Sequence, residues 1–143
     1  MNVLVDTSVW SLALRRRAQD LSPAEATAVA ELSELILEGR ARIIGLIRQE
    51  LLSGIKTAAQ YETLRGALRP FPDERVSTED YEAAAKASNE CRAKGVVVSV
   101  ADILICATAL RRHWAIFTTD PDFKNYARIL PIKLHAPRKQ RTL

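Results

Sequence analysis

Four acidic side chains in this sequence have types and positions suited to binding a divalent cation. Asp6, Glu50, Asp102 and Asp120 each lie within about a turn of the start of a predicted helix, and all but Asp102 lie just past a predicted strand. Because the carboxyl ends of parallel strands share one edge of a sheet, we expect Asp6, Glu50 and Asp120 to converge there. Clustered carboxylates suit Mg²⁺ or Mn²⁺, ions that activate water and neutralise charge on a phosphodiester.

Each acid also has a purely structural interpretation. Asp6 can form an Asx turn, and Asp120, which precedes a proline, can cap a helix. Asp102 can complete a capping box with the serine three residues before it, and Glu50 can be a solvated helix residue. Asp102 discriminates best, because the helix that it leads is apolar on nearly every side and is predicted to be buried. An unpaired carboxylate there is costly unless a cation compensates it.

The elements that must position these acids alternate between strands and helices, which predicts an α/β fold with a mostly parallel sheet covered on both faces. The predicted strands are 2–5, 42–44, a weak strand at 71–76, 115–117 and 129–130, and the predicted helices are 8–17, 22–37, 47–54, 57–69, 78–94, 99–112 and a turn at 121–126. The helix at 22–37 has the clearest start, because Ser22 and Glu25 form a capping box around a proline.

Length and composition indicate one globular domain. With 143 residues, 48% of them hydrophobic and 27% charged, we predict a single domain over 1–134 and a frayed basic tail over 135–143 that carries Arg138, Lys139 and Arg141. The net charge of +4 leans towards a polyanionic partner.

The same features bear on the compartment. No apolar run is long enough to span a membrane, and no signal peptide is expected. Cys91 and Cys106 have neither metal-like nor CxxC spacing, which fits a reducing cytoplasm. We therefore expect a cytoplasmic protein without a membrane partner.

Four stretches taken together resemble the PIN-domain ribonucleases, and above all the small VapC-type toxins of toxin–antitoxin pairs: VDTSVW, RQELLSG, SVADILICATA and FTTDPDF. The likeness spans almost the whole chain, with Cys106 standing where alanine is usual. It implies a PIN-like three-layer α/β/α sandwich and Mg²⁺-dependent endonuclease action on RNA. It also implies a homodimer and inhibition by a cognate antitoxin protein.

The resemblance maps the four acids of the family onto Asp6, Glu50, Asp102 and Asp120, its small hydroxyl position onto Ser8 or Thr7, and its Thr-x-Asp onto Thr118, Thr119 and Asp120. Asp122 is a further acid of that stretch. We expect it to support the metal ligands without binding the metal itself.

Chemical roles follow for these positions. We predict that Asp6, Asp102 and Asp120 bind the metal, and that Glu50 binds through water or orients the attacking water. Ser8 and Thr118 are predicted to support these acids by hydrogen bonds.

Basic residues are candidates for phosphate contacts, although a basic run on a helix is more often a solvated face. The candidates are Arg15, Arg16, Arg17, Arg48, Lys124 and Arg128. For the antitoxin we expect an arginine in the acidic pit and an apolar segment near Trp10 and Leu14, residues that core packing would explain equally well.

Three other functions remain as alternatives. A metal-free ribonuclease would have to use His113 and His135, the only histidines. A catalytically idle PIN-like module would bind RNA or serve as a scaffold, and a PIN nuclease without an antitoxin would process RNA.

Overall fold

The part of the chain that the structure describes, residues 1–139 of a computed structural model, folds around a sheet of four short strands. These are β1 (Val3–Val5), β2 (Ala41–Ile44), β3 (Asp73–Glu74) and β4 (Ala115–Phe117). They run parallel in the order β3–β2–β1–β4, with Val3 opposite both Ala41 and Ala115. β1 is fully buried, as its apolar run predicts for a central parallel strand.

Seven α-helices connect and flank the strands within the described residues: α1 (Thr7–Leu14), α2 (Pro23–Leu37), α3 (Gly45–Leu52), α4 (Ala58–Leu68), α5 (Thr78–Ala93), α6 (Val100–Arg112) and α7 (Asp122–Tyr126). The predicted capping box of Ser22 and Glu25 is present at the start of α2. A second one, formed by Ser77 and Asp80, starts α5.

The direction of the crossovers places helices on both faces of the sheet. From β1 the chain steps to β2 and β3 on one side, and then passes back beyond β1 to reach β4. Because such crossovers are right-handed, α1 to α4 cover one face, and α5 and α6 cover the other. This is the predicted three-layer α/β/α sandwich, with a sheet that is parallel throughout. The winding reverses at β1, which is where open α/β sheets bind their ligands.

The predicted strand at 129–130 is wrong. The backbone N–H groups of Ile129 and Leu130 both donate to the carbonyl of Tyr126, so this segment is a turn after α7. The pairing beside β4 comes four residues later, where Leu134 forms a parallel bridge with Ile116. Leu130 is apolar because it is buried in the core.

The prediction of a frayed tail is wrong for residues 135–138. The N–H of His135 donates to Ile116 O at 2.7 Å, and its ring packs edge-on against Phe117. Glu31 of α2, which is almost fully buried, contacts His135 Nε2 at 2.6 Å and accepts from Arg138 Nε at 2.7 Å. These contacts dock the segment on α2. The predicted tail residue Arg141 lies outside the described residues.

Trp10 lies in the core, which settles the two interpretations of its position. It is 1% exposed, its indole N–H donates to Val5 O at 3.1 Å, and its ring meets Phe71 edge-on with centroids 5.0 Å apart. Leu14, half-buried at the end of α1, lines a groove of about 560 Å³ together with Ile55 and Leu64. Over residues 1–139, no helix combines the length and the apolar character needed to cross a membrane.

Candidate functional site

Three adjacent elements bring the predicted site residues to one edge of the sheet. Asp6 directly follows β1, and its N–H donates to the carbonyl of Phe117, the last residue of β4, at 2.8 Å. The segment after β4, which carries Thr118 and Asp120, therefore starts beside Asp6. On the other side, α3 begins directly after β2 and carries Glu50 in its second turn.

Asp6 is the most enclosed of the four acids, at 5% exposure. Its Oδ2 accepts hydrogen bonds from the hydroxyls of Ser8 and Thr118, each at 2.8 Å. The Ser8 hydroxyl also accepts from the N–H of Thr119, which links the start of α1 to the segment after β4. Both predicted supporting hydroxyls thus contact Asp6 and fix its orientation. Asp6 is also the N-cap of α1, so capping and a place in the acidic cluster coexist in one residue.

Asp102 does not use its carboxylate to cap α6. Ser99 Oγ accepts from the backbone N–H of Asp102 at 3.1 Å, which is one half of a capping box. The returning half, present for Ser22 and Ser77, is replaced by a tertiary contact. Tyr126 Oη donates to Asp102 Oδ2 at 2.9 Å, from a side chain on α7 that is buried in the core.

Among the described residues, the carboxylates of Asp120 and Glu50 each accept one hydrogen bond. Asp120 Oδ1 accepts from the backbone N–H of Asp122 at 2.9 Å, at the start of α7. Asp122 therefore contacts Asp120 through its backbone, while its carboxylate is exposed. Glu50 Oε1 accepts from the hydroxyl of Thr7 at 2.8 Å, which ties α3 to the first residue of α1.

The charges of the other three acids act on Asp102. Burial raises the pKa of Asp102 above its usual value; the hydrogen bond from Tyr126 opposes this, and the charges of Asp6, Asp120 and Glu50 raise the pKa further. Below the acids in α6, burial and then the Asp102 charge raise the pKa of the Cys106 thiol. We refer to the four acids, Asp6, Glu50, Asp102 and Asp120, as the acidic edge. It concentrates negative charge over the buried helix α6.

Among the described residues, one oxygen of each of the four carboxylates accepts hydrogen bonds, and the other, which we call uncommitted, accepts none. Within residues 1–139, no hydrogen bond uses Asp6 Oδ1, Asp102 Oδ1, Asp120 Oδ2 or Glu50 Oε2. None of these acids has an arginine or lysine partner among the described residues, whereas the buried Glu31 and Asp80 do.

The donor set suits a hard divalent cation, because hard ions prefer carboxylate oxygens that no other cation neutralises. As the side chains lie, however, residues 1–139 contain no group of three His, Cys, Asp or Glu side chains that could hold a metal. The four acids therefore fit a divalent cation by the chemistry of their oxygen donors.

Two residues of the site escaped the sequence analysis or were only half identified. Tyr126 is typical of a core residue in sequence, and nothing local signals that its hydroxyl reaches Asp102. Thr7 shared one predicted position with Ser8, and the structure gives them different partners, Glu50 and Asp6. Neither histidine belongs here: His113 caps the far end of α6, and His135 pairs with Glu31.

Comparison with known proteins gives the same architecture. A family model described as PIN domain matches residues 3–129. The solved structure of FitAcB from Neisseria gonorrhoeae superposes with a TM-score of 0.74 at 22% identity, covering 94% of this chain and 97% of that one. VapBC2 from Rickettsia felis, solved bound to a DNA fragment from its promoter, superposes with a TM-score of 0.72 at 18% identity, covering 94% and 98%.

Among curated relatives, ribonuclease VapC11 of Mycobacterium tuberculosis is 33% identical over 131 residues, which cover 89% of this chain and 92% of the relative. The VapC ribonuclease Mb1587 of Mycobacterium bovis matches to the same extent. The sheet order, the acids at its carboxyl edge and these matches lead to one assignment: the chain belongs to the PIN-domain family, as a relative of the VapC ribonucleases.

Proposed function

We propose that this protein is a Mg²⁺-dependent endoribonuclease that hydrolyses phosphodiester bonds of RNA and acts as the toxin of a toxin–antitoxin pair. The observation that carries the nuclease is the acidic edge, where four carboxylates each keep one oxygen uncommitted and lack a basic partner within residues 1–139. Its relatives named as VapC ribonucleases support RNA as the substrate.

Asp6, Asp102 and Asp120 would hold the metal, and Mn²⁺ suits the same ligands. Bound there, the ion supplies an activated water and neutralises charge on the phosphate. The residues of the chain do the positioning. Ser8 and Thr118 hold Asp6 by its Oδ2, and Tyr126 holds Asp102 by its own Oδ2, which leaves an Oδ1 of each to a ligand. Glu50, held by Thr7, is the acid left to bind or orient water.

The test of the nuclease is a neutral substitution at the most enclosed acid. Asp6→Asn keeps acceptor oxygen for Ser8 and Thr118 but is a poor ligand for a hard cation, so cleavage of a labelled RNA should fall by about a hundredfold or more. Asp20→Asn, which removes an exposed acid elsewhere, should cleave normally. EDTA should abolish cleavage, and added Mg²⁺ or Mn²⁺ should restore it. Full activity of Asp6→Asn in a nuclease-free preparation would contradict the site.

The toxin part of the proposal rests on relatives solved as toxin–antitoxin complexes, including VapBC-5 from Mycobacterium tuberculosis. The acidic edge suits an arginine, whose planar fork pairs with two carboxylate oxygens. The groove beside Leu14 suits the apolar segment of the same partner, in place of the contact near Trp10 that the sequence suggested. We also propose that the protein forms a homodimer, because its resemblance to the VapC-type toxins implies one.

Expression in a host cell tests this part. The chain alone should arrest growth, Asp6→Asn should not, and co-expression with the neighbouring reading frame should restore growth. Capture of the tagged protein from its own host should recover a small protein encoded beside it. An active nuclease that is harmless alone and recovers no such partner would favour an RNA-processing PIN nuclease. A harmless chain without metal-dependent cleavage would favour the idle RNA-binding module.

A further inference from the structure

A basic pocket of about 430 Å³ lies between α3, α4 and the segment leading into β3. Its lining includes three arginines, Arg48, Arg65 and Arg69, and two aromatic side chains, Tyr61 and Phe71; the one acid in the lining, Asp73, is paired with Arg48. We refer to these five residues as the α4 pocket. It shares no residue with the acidic edge and has no part in the chemistry proposed above.

The three arginine side chains differ in their hydrogen bonds and acidic partners. Arg48 is fixed, because its guanidinium donates to Asp73 Oδ1 at 2.9 Å and to the carbonyls of Leu68 and Phe71. Within residues 1–139, the side chain of Arg65 has only Glu62, at 3.9 Å and largely exposed, and that of Arg69 has no acidic partner. The pocket therefore has a rigid wall and two guanidinium groups whose donors are uncommitted.

Spacing aligns these groups along one face of α4. Tyr61, Arg65 and Arg69 recur every four residues, so they stand one above another. Leu64 and Leu68 are buried and anchor the helix. Tyr61 is 39% exposed. A planar guanidinium matches the geometry of phosphate, and an exposed aromatic ring offers a stacking surface to any base.

The position of the pocket relates it to the acids. Glu50 and Arg48 are two residues apart on α3, so they point to different sides of the helix: Glu50 towards Thr7 at the acidic edge, and Arg48 towards β3. The α4 pocket thus lies across α3 from Glu50, about one helix diameter or ~10 Å away. A flexible polyanion bound at the acids reaches it within a few units of its backbone.

We infer that the α4 pocket binds single-stranded RNA, with a backbone phosphate between Arg65 and Arg69 and a base stacked on Tyr61. The inference rests on the proposed function, which makes RNA the polymer that crosses this face. Uncommitted guanidinium groups beside a ring favour nucleic acid over an apolar protein segment, because such a segment would bury their charge without a partner.

Binding is measured without cleavage. The full-length protein in EDTA is titrated into a fluorescein-labelled single-stranded 12-nucleotide RNA at several salt concentrations, and the RNA is checked for integrity. The double variant Arg65→Gln, Arg69→Gln should bind about tenfold more weakly, and its log–log salt slope should be shallower by about 0.7 for one lost phosphate contact. The control pair Lys86→Gln, Arg92→Gln removes equal charge from exposed positions of α5 and should bind nearly as tightly as the unmodified protein.

A second pair tests the stacking. Tyr61→Ala should weaken RNA binding about fivefold or more, while Tyr61→Phe, which keeps the ring, should bind normally. Tyr81→Ala removes an exposed ring from α5 and should have no effect. Equal affinities and salt slopes for the Arg65, Arg69 pair and the α5 pair would overturn the inference. It also fails if the Arg65, Arg69 pair alters the sedimentation of the RNA-free protein but leaves RNA affinity unchanged, because the surface then contacts protein.

The two proposals fail separately. If the α4 variants lose RNA affinity but the unmodified protein shows no metal-dependent cleavage, the α4 pocket stands and the nuclease assignment falls. If cleavage is metal-dependent and the α4 variants bind like the α5 controls, the inference about the α4 pocket falls alone.

Discussion

Asp102 is the residue at which the structure concentrates most conflict. Burial, and then the charges of three other acids, raise the pKa of Asp102. Within residues 1–139, its carboxylate has one hydrogen-bond partner, the Tyr126 hydroxyl. An ionised Asp102 is therefore destabilising in the metal-free protein. Its neighbours Asp6 and Asp120 are held by hydroxyl or backbone donors, which stabilise a carboxylate without removing its charge.

This conflict predicts a pH-dependent effect of Asp102→Asn. A carboxyl whose folded pKa is raised contributes stability below its unfolded pKa and loses it as pH rises through the folded pKa. In EDTA at pH 7, the variant should melt higher than the unmodified protein by about 2–4 °C, which corresponds to ~1 kcal/mol for a chain of this size. The difference should vanish below about pH 4. Asp122→Asn, at an exposed acid nearby, should change little. A lower melting temperature for Asp102→Asn would show that the hydrogen bond from Tyr126 outweighs the charge repulsion at Asp102.

Tyr126 is predicted to position Asp102. Tyr126→Phe removes the hydroxyl and keeps the ring against Phe123. The affinity for Mn²⁺ measured by calorimetry, and the cleavage rate at limiting Mg²⁺, should each fall about tenfold, because partners that orient ligands are worth about 10–100-fold. The KM for RNA should not change. Tyr81→Phe, at an exposed ring, should match the unmodified protein in both measurements, and equal Mn²⁺ affinity in Tyr126→Phe would exclude the positioning role.

At the residue scale, the acids were predictable and Tyr126 was not. Asp6 and Asp120 follow apolar strands closely, and the rule that parallel strands end at one edge turns that position in sequence into proximity in space. Tyr126 reaches Asp102 only because α7 folds back over the start of α6. That contact depends on tertiary packing, and an amphipathic tyrosine in an apolar segment carries no local sign of it.

At the scale of elements, α5 and α6 are joined by one buried charge. Asp80 is fully buried and accepts from Arg111 at 2.7 Å, from Arg112 at 2.9 Å, and from the N–H of Ser77. The Arg112 hydrogen bond, opposed by burial and aided by Ser77 and Arg111, holds the pKa of Asp80 well below its usual range. Arg112 in turn lies over the Trp114 ring.

Asp80→Asn should therefore destabilise the fold. Breaking a buried ion pair costs about 3–5 kcal/mol, and we expect the lower part of that range because both arginines remain partly exposed. The sign with pH is opposite to that of Asp102: a lowered folded pKa gives stability above the unfolded pKa that is lost as pH falls. Urea unfolding should show a constant deficit from pH 5 to 8 that narrows below about pH 4. Glu79→Gln, an exposed neighbour in α5, should unfold normally, and an equal loss in Glu79→Gln would refute the specific role of Asp80.

Most elements were predictable because their signals are local. The Ser22 capping box and the apolar β1 and β4 needed no tertiary information. The segment at 129–130 was misassigned because two apolar residues fit a buried turn as well as a strand, and only the hydrogen bonds to Tyr126 decide between them. The ion pairs of Asp80 lie about 30 residues away in sequence, beyond the reach of any local pattern.

At the scale of the whole molecule, Glu31 fastens the C-terminal segment. Burial opposes ionisation of Glu31, but hydrogen bonds from Arg138 and His135 outweigh it and hold its pKa below the usual value. Arg138 also pairs with Glu38, at the end of α2. Residues 135–138 are thus tied to α2, which a basic tail in the sequence did not suggest.

Glu31→Gln should release this segment. Limited trypsin digestion should cut after Arg138 faster by about tenfold. Stability should fall by about 1 kcal/mol, because His135 and the partly exposed Arg138 lose a charged acceptor. Glu34→Gln, one turn along on the exposed side of α2, should digest like the unmodified protein. Unchanged digestion of Glu31→Gln would mean that the bridge of Leu134 to β4 is enough to hold residues 135–138.

The hydrogen bond from Thr118 to Asp6 joins residues 112 positions apart, and Asp120 and Tyr126 come later still. During synthesis, the leading half of the chain leaves the ribosome with Asp6 and Glu50 but without β4, the strand that completes their surroundings. A translation product that stops just before β4 carries Asp6, Glu50 and Asp102, but it lacks Asp120 and the strand that completes the edge. If the protein cuts RNA as proposed, a growing chain therefore cannot cut the message that encodes it until β4 and α7 have emerged from the ribosome.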